Sequence, residues 1–191
     1  VVAGSIPGGV VAFQIGFSFM LVPVAFWARP LATAQLARLV PAIGDSATAA
    51  TSSSTYRLTL ALASFVAVPA ACVFVVAPGP IGGAAVFGSM ATVAGAELVA
   101  AAVGGLGLAI VGMSALHVTT AASYARGDAY LPLRAMALRT VIVMVGILAA
   151  PLLVDGPDTL WLLGLFYSVG SMVAALYLHR RIAALLPGSD P

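Results

Sequence analysis

Five long apolar stretches constrain this chain more than any other feature of its sequence. They occupy residues 9–28, 58–77, 98–124, 136–154 and 160–178, with more polar segments between them. A bilayer core of about 30 Å is crossed by about 20 residues of α-helix. Each stretch is far longer than a transmembrane β-strand of roughly ten residues, and the alternating pattern of such a strand is missing. The sequence therefore predicts an all-α, polytopic membrane protein with five transmembrane helices.

The composition excludes several other classes of protein. Charged residues make up 7% of the chain, against about 25% in a soluble domain, and the mean hydropathy is +1.13. The net charge of +2 and the lack of a basic stripe with interleaved aromatic residues argue against a nucleic-acid partner. One cysteine, Cys72, cannot form an internal disulfide, and no metal-ligand spacing is present. We expect no metal and no cofactor.

The charges are distributed unequally between the connecting segments. The chain has eight basic residues, all of them arginine. They follow the first, third and fifth apolar stretches, as Arg29, Arg38 and Arg57, then Arg126, Arg134 and Arg139, then Arg180 and Arg181. The two segments between these carry only Glu97, Asp155 and Asp158. By the positive-inside rule the arginine side is cytoplasmic, so that the first helix enters from outside and the C-terminal tail lies inside.

The first cytoplasmic segment divides into two parts. Apolar residues and an arginine within 31–40 predict a short amphipathic helix on the membrane surface, ended by Pro41 and Gly44. The Ser, Thr and Ala run after Asp45 predicts a flexible connector. The alternative is an unstructured loop throughout.

Prolines and small residues within the apolar stretches predict helix shape and packing. Pro23 and Pro69 each remove a backbone hydrogen bond, which predicts a kink. Ala101, Gly105 and Ala109 repeat every four residues, a pattern that lets another helix approach closely.

Three polar side chains within the apolar stretches are candidates for a substrate cavity: Gln14, Ser18 and His117. Such residues are costly to place in lipid and usually face a bundle interior or an aqueous cavity. His117 precedes Arg126 by nine positions, or about 13 Å along a helix, which predicts a position below the cytoplasmic membrane surface. The alternative is a histidine that bonds to a carbonyl of a neighbouring helix.

Signatures of an enzyme are missing. The sequence contains no HExxH, no GxSxG and no paired carboxylates within one apolar stretch. The segment GGLGLAIVG is similar to a dinucleotide-binding loop, but Ile110 stands where the third glycine is needed. We therefore expect no catalytic residue and no enzymatic activity.

The densest polar patch, SYARGDAYLPLR, forms the predicted cytoplasmic turn between the third and fourth helices. Asp128 is placed to cap a helix, and Pro132 is tolerated in its first turn. Arg126, Arg134 and Arg139 are suited to phospholipid headgroups or acidic partners.

This turn also resembles a family motif. Tyr124, Arg126, Asp128, Pro132 and Arg134 match the FYARGDTRTPVR turn of the lipid II flippases, the MurJ/MviN family of the multidrug/oligosaccharidyl-lipid/polysaccharide (MOP) exporter superfamily.

Two further segments are similar to the same family. Pro69 with the later VVAPGPI resembles LPAAVGLLVLAEPIV, and AQLARL with its trailing Gly-Asp resembles LPRLSRLAAEGD, although Ala34 replaces the proline. The resemblance covers nearly the whole chain. It implies an excerpt of roughly the eighth to twelfth helices of a fourteen-helix transporter, most of its second lobe.

The resemblance implies a multi-pass protein of the bacterial cytoplasmic membrane that works by alternating access. Its implied substrate is the undecaprenyl-diphosphate-linked peptidoglycan precursor, moved to the outer leaflet for cell wall biogenesis and cell shape. The implied partners are this lipid, membrane lipids and the remaining helices of the transporter. Ion or membrane-potential coupling would drive transport, without covalent chemistry.

The chain departs from the family at one important position. Flippases of this family carry an intramembrane arginine in the helix that matches 9–28, where this chain has Ser18 or, by another alignment, Ile15. We therefore expect Gln14, Ser18 and His117 to form a polar, nearly neutral wall, with the permanent positive charge supplied by the first lobe. The alternatives are another polysaccharide-lipid or drug exporter of the superfamily, or a transport-inactive scaffold for cell-wall synthesis.

Overall fold

The structure, a computed structural model, describes residues 6–39 and 49–184, and all the regular elements in these ranges are helical. A π-helical turn, Val24–Ala28, joins the first two helices, and a 3-10 turn, Gly88–Met90, precedes the fifth. The helices are α1 (Gly9–Pro23), α2 (Arg29–Leu39), α3 (Ala49–Val76), α4 (Pro78–Ala85), α5 (Val93–Leu106), α6 (Ala109–Ala125), α7 (Tyr130–Leu153) and α8 (Pro157–Ala183).

The helices confirm the predicted all-α, polytopic class. Among the described residues, four helical segments are long and apolar enough to cross a membrane, and α5 with α6 forms a fifth candidate span. The four are Gly9–Ala37, Ser53–Val76, Tyr130–Leu153 and Pro157–Ala183. Apart from the last residue of 58–77 and of 136–154, each predicted apolar stretch lies within one candidate span or, for 98–124, within the bent pair.

The first span is longer than the sequence predicts. The helix expected at 31–40 exists as α2, but it continues α1 through the π-helical turn and is not a separate surface helix. Proline 23 lacks an N–H, and a π-helical turn directly after it keeps the helix continuous. Pro41 and Gly44, the predicted end of this helix, lie outside the described residues.

The predicted flexible connector is wrong from Ala49 onward, because α3 begins there. Two physical reasons account for the helix. Alanine has the strongest helix propensity, and Tyr56 is buried, with its hydroxyl 2.7 Å from Nδ1 of His179 on α8. The part of the connector before Ala49 lies outside the described residues. Pro69 lies inside α3, which continues to Val76.

The third span is broken where the sequence predicts a continuous helix. Helices α5 and α6 meet at Gly107 and Leu108 with a bend of 43°. A Cβ atom at Gly107 would lie 2.8 Å from Val75 Cγ2 and 3.1 Å from Phe74 Cβ, so α3 approaches closely at this point. Glycine allows this approach but weakens the helix that contains it.

The segment 78–97, predicted as a connecting loop, contains one short helix and the start of α5. Helix α4 begins with Pro78, which suits the first turn of a helix. It packs against α5 at Gly82, where a Cβ atom would lie 2.6 Å from the Ala96 carbonyl oxygen. Thr92 caps α5, because its Oγ1 accepts a hydrogen bond from the Gly95 N–H at 3.0 Å.

Helices α5 and α6 form the centre of the bundle. Helix α8 packs against α5, α6 and α7, while α1 packs against α5, and α2 and α3 pack against α6. Gly105 of α5 confirms the predicted close approach, since a Cβ there would meet the Trp161 backbone of α8. Helix α7 is the most peripheral span, with 11% of its apolar window buried.

The bundle separates its two ends by charge. One buried cluster joins the ends of α2, α6 and α8 with the start of α3, through Leu39, Tyr56, Ala125 and Ile182. Another cluster lies at the opposite end and includes Ala85, Leu98 and Leu160. Most of the arginines therefore lie near the first cluster, and Glu97, Asp155 and Asp158 lie near the second.

We expect labelling of single cysteines to follow this separation. In a Cys72-free protein in intact cells, a membrane-impermeant thiol reagent should label cysteine at Pro80 and spare cysteines at Ser52 and Arg126. Permeabilised cells, in which all three should react, provide the control. Labelling at Ser52 or Arg126 in intact cells would overturn the predicted orientation.

Candidate functional site

An arginine lies inside the fourth span. Arg139 is nine residues after Tyr130, which places it about 14 Å from the start of α7 and about 21 Å from the end of the helix. The sequence groups Arg139 with the cytoplasmic arginines, and in the structure it lies within α7, inside a candidate membrane span, because α7 begins at Tyr130, before the apolar stretch that starts at residue 136.

The side chain of Arg139 is held by an aromatic ring. Its guanidinium carbon lies 4.4 Å from the ring centroid of Tyr167 on α8, a cation–π contact. Its Nη1 lies 4.0 Å from the Met136 sulfur. Neither partner carries a negative charge, and no carboxylate among the described residues pairs with Arg139.

Four helices meet around Tyr167. Phe17 of α1 contacts its ring edge-on, with the centroids 5.4 Å apart and the planes at 84°. The Tyr167 hydroxyl lies 4.0 Å from the sulfur of Met113 on α6. Together with Arg139 of α7, these contacts join α1, α6 and α7 to α8 at one residue.

Arg139 faces a cavity of about 310 Å³ between α7 and α8. On α7 the lining side chains follow a spacing of three or four residues, so they share one helix face. We name this site the α7–α8 groove; it is lined by Met136, Arg139, Thr140, Val143, Met144 and Tyr167.

His117 does not line this groove but lies on α6, one helical turn after Met113, whose sulfur contacts the Tyr167 hydroxyl. His117 is half-buried, and its Nε2 atom is buried without a hydrogen-bond partner among the described residues. A neighbouring carbonyl therefore does not satisfy Nε2. The nearly neutral wall of Gln14, Ser18 and His117 stays a prediction.

Gln14 and Ser18 lie on another surface of the bundle. Both are exposed on α1, one helical turn apart, and the Ser18 hydroxyl donates to the Gln14 carbonyl oxygen at 2.9 Å. They lie beside Phe17 on α1, whereas His117 lies on α6. The ring contact between Phe17 and Tyr167 thus links the part of α1 that carries Gln14 and Ser18 to α8.

The predicted turn motif forms the connection between α6 and α7. Asp128 caps α7 as predicted, since its Oδ1 accepts hydrogen bonds at 3.0 Å from the N–H groups of Tyr130 and Leu131. Gly127 has φ of +75°, a left-handed conformation that suits glycine at the end of α6. Pro132 is buried in the first turn of α7. The other motif residues, Tyr124, Arg126 and Arg134, are exposed at this end of the bundle.

From the sequence, Arg139 was grouped with the cytoplasmic arginines that suit phospholipid headgroups and Tyr167 was not identified, although a signal for an intramembrane Arg139 was present. Arg139 lies within the predicted stretch 136–154, and an arginine inside a span is a functional candidate. Tyr167 gave no such signal, because a tyrosine in an apolar helix is an ordinary packing residue. In residues 6–39 and 49–184, no group of three or more His, Cys, Asp or Glu side chains is placed to hold a metal ion.

Comparison of the chain with protein-family models, curated proteins and solved structures finds no match to any of them.

Proposed function

We propose that this chain is part of a flippase that moves an undecaprenyl-diphosphate-linked peptidoglycan precursor across the bacterial cytoplasmic membrane. The observation that carries the proposal is Arg139, a cation inside an apolar candidate span that faces an open groove and pairs with no carboxylate in the described part of the chain. A charge at this depth is costly unless another charge compensates it. The diphosphate of a lipid-linked precursor has the required negative charge.

The polar groups around Arg139 suit an anionic head better than a cationic one. Arg139 is the charged residue among those that line the groove, and no acidic residue is among them, so the groove favours a negative charge. Positive drugs would be repelled from such a groove, which disfavours a drug exporter. Another exporter of polysaccharide lipids remains the second candidate, because its substrate would present the same diphosphate.

The surface of the bundle supports a place within a larger transporter. Helix α7, helix α1 and the π-helical turn after α1 expose large apolar side chains, among them Val10, Phe26, Val141 and Leu148. These faces suit lipid or further transmembrane helices. In the proposal, these faces include the surface of the second lobe that contacts the first lobe. The two lobes rock against each other during alternating access.

A transport-inactive scaffold is the third candidate. A scaffold needs no uncompensated charge inside a span, whereas a transporter of anions does. The test is complementation: the protein, expressed in bacteria depleted of their own lipid II flippase, should restore growth. Failure to restore growth at a normal level in the membrane would contradict the flippase and favour the scaffold.

We expect His117→Ala to reduce precursor transport only partly, by about fivefold. A neutral polar contact contributes about 1 kcal/mol, far less than a charged one. Growth of the complemented strain and the rate of precursor transport measure the effect. The control is Thr33→Ala, which removes an exposed hydroxyl that bonds only within its own helix, to the Arg29 carbonyl oxygen at 3.0 Å. Complete loss of transport with His117→Ala, or no loss at all, would contradict this role.

A further inference from the structure

We infer that Arg139 and Tyr167 form a two-residue phosphate-binding site for a phosphate-headed lipid in the α7–α8 groove. The inference rests on the proposed function only for the identity of the lipid that carries the phosphate. The site itself follows from the charge, the geometry and the lining of the groove.

The charge of Arg139 is only weakly compensated by the protein. The face of the Tyr167 ring attracts a cation less strongly than a carboxylate does, and a thioether sulfur is a weak acceptor. Other intramembrane arginines are paired with acidic side chains or backbone carbonyls. An external anion would replace the missing partner of Arg139.

The geometry of the pair leaves hydrogen-bond donors free. A guanidinium group carries five N–H donors in its plane. The guanidinium lies over the Tyr167 ring, and its hydrogen-bond contact among the described residues is the Met136 sulfur, so donors at the edge of the guanidinium are able to bond to an anion. The edge matches two oxygens of one phosphate, the bidentate arrangement that arginine prefers.

The Tyr167 hydroxyl supplies the second point of contact. Its hydrogen-bond partner in the protein is the Met113 sulfur at 4.0 Å, a long and weak contact. The Arg139 guanidinium carbon lies 4.4 Å from the centroid of the ring that carries this hydroxyl, so the two polar groups lie side by side. A phosphate bound by Arg139 would therefore lie within reach of the hydroxyl.

The remaining lining of the groove favours an amphiphile over a free ion. Met136, Val143 and Met144 form an apolar wall next to the two polar groups. The cavity of about 310 Å³ has roughly ten times the volume that a water molecule occupies in the liquid, enough for a diphosphate or part of a lipid head. A phosphate at Arg139 and an adjoining hydrocarbon chain would satisfy both surfaces.

Binding of farnesyl diphosphate tests the site directly. The probe is titrated into the protein in phosphatidylcholine nanodiscs, and bound protein is measured by native mass spectrometry. We expect Arg139→Gln to weaken binding at least tenfold and Arg139→Lys to weaken it less, because lysine keeps the charge but loses the bidentate edge. Farnesol, which lacks the diphosphate, should bind weakly and equally to all variants.

Two substitutions separate the roles of the Tyr167 ring and hydroxyl. Tyr167→Phe should weaken binding about threefold to fivefold, because only one neutral hydrogen bond is lost. Tyr167→Leu should weaken it about as much as Arg139→Gln, since the ring that positions the guanidinium is lost as well. Melting temperatures of both variants are measured in parallel. If Tyr167 had a purely structural role, substitution would lower the melting temperature, and the Phe and Leu variants would bind the probe with equal affinity.

The chain contains a matched control pair. Arg181 lies over the ring of Tyr177 at 5.6 Å, a similar contact at the end of α8. Arg181→Gln and Tyr177→Phe should leave binding unchanged. Equal binding by wild type and Arg139→Gln, or equal losses in the control pair, would overturn the site.

The source of the phosphate is tested by competition. Phosphatidylglycerol carries one phosphate, and we expect it to displace farnesyl diphosphate poorly even when it forms a third of the nanodisc lipid. Efficient displacement would overturn the preference for a diphosphate lipid and identify a phospholipid headgroup site at the same residues. Normal binding in a protein that fails to complement a flippase-depleted strain would refute the proposed function and leave the phosphate site standing.

Discussion

Substitution of Gly105 by alanine is expected to destabilise the bundle by about 2–4 kcal/mol, because the added methyl group has no space between α5 and α8. A Cβ atom at this position would meet the backbone of Trp161, which cannot move without displacing α8. The same region holds a buried hydrogen bond of 2.8 Å from the Ser168 hydroxyl to the Gly105 carbonyl oxygen. Separation of the helices would weaken this bond and add about 1 kcal/mol to the loss.

Gly83→Ala provides a control of the opposite sign. Gly83 lies in α4, where an added Cβ has no atom within 4 Å. Alanine there should stabilise the helix by about 0.5–1 kcal/mol, because it reduces the conformational freedom of the unfolded chain. Unfolding of the two purified variants in detergent, followed by tryptophan fluorescence, measures the difference. Equal stabilities would show that the close contact of α5 and α8 is wrong.

The second large effect is expected at Arg139. Arg139→Gln should reduce precursor transport by about 100-fold while the protein remains folded, because a preorganised charge in a low-dielectric site contributes about 3 kcal/mol to the stabilisation of a developing or transferred charge. Removal of a weakly compensated charge from an apolar span should leave stability unchanged or raise it. Transport and melting temperature are measured on the same preparations.

Arg134→Gln is the matched control for Arg139. Both residues belong to α7, but Arg134 is exposed in the second turn, near the charged end of the bundle. Its loss should change transport by less than about twofold, since an exposed charge is screened by water and salt. Equal losses of transport in the Arg134→Gln and Arg139→Gln variants would show that Arg139 has no special role.

The parts of the fold that depend on local sequence signals were predicted well. Long apolar stretches predict spans because the bilayer sets their length, and the structure has candidate spans at each of them. The cap at Asp128 and the close approach at Gly105 were also predicted, because each depends on the chemistry of one residue type. These features need no knowledge of the neighbouring helices.

Features that depend on tertiary contacts were missed. The break at Gly107 occurs where the side chains of Phe74 and Val75 approach from α3, a contact that the sequence does not reveal. The helical start of α3 is supported by the contact of Tyr56 with His179, 123 residues away in the chain. Hydropathy alone predicts a continuous helix at residues 98–124 and a connector where α3 begins.

The candidate site was predicted only in part for a related reason. The depth of Arg139 is set by the start of α7, which Asp128 defines through its cap and not through hydropathy. His117 was recognised because a histidine in an apolar helix is rare. Its position relative to Arg139 depends on how α6 and α7 both pack against α8.

The most direct test of the proposed function measures movement of a labelled undecaprenyl-diphosphate-linked precursor in proteoliposomes. Precursor in the outer leaflet is quantified by its accessibility to an added membrane-impermeant reagent, with labelled phosphatidylcholine as the control lipid. The account predicts that the transporter containing this chain exchanges the precursor between leaflets, that phosphatidylcholine stays in place, and that Arg139→Gln slows precursor exchange about 100-fold. Precursor exchange no faster than in protein-free vesicles, or equally fast exchange in the Arg139→Gln variant, would contradict it.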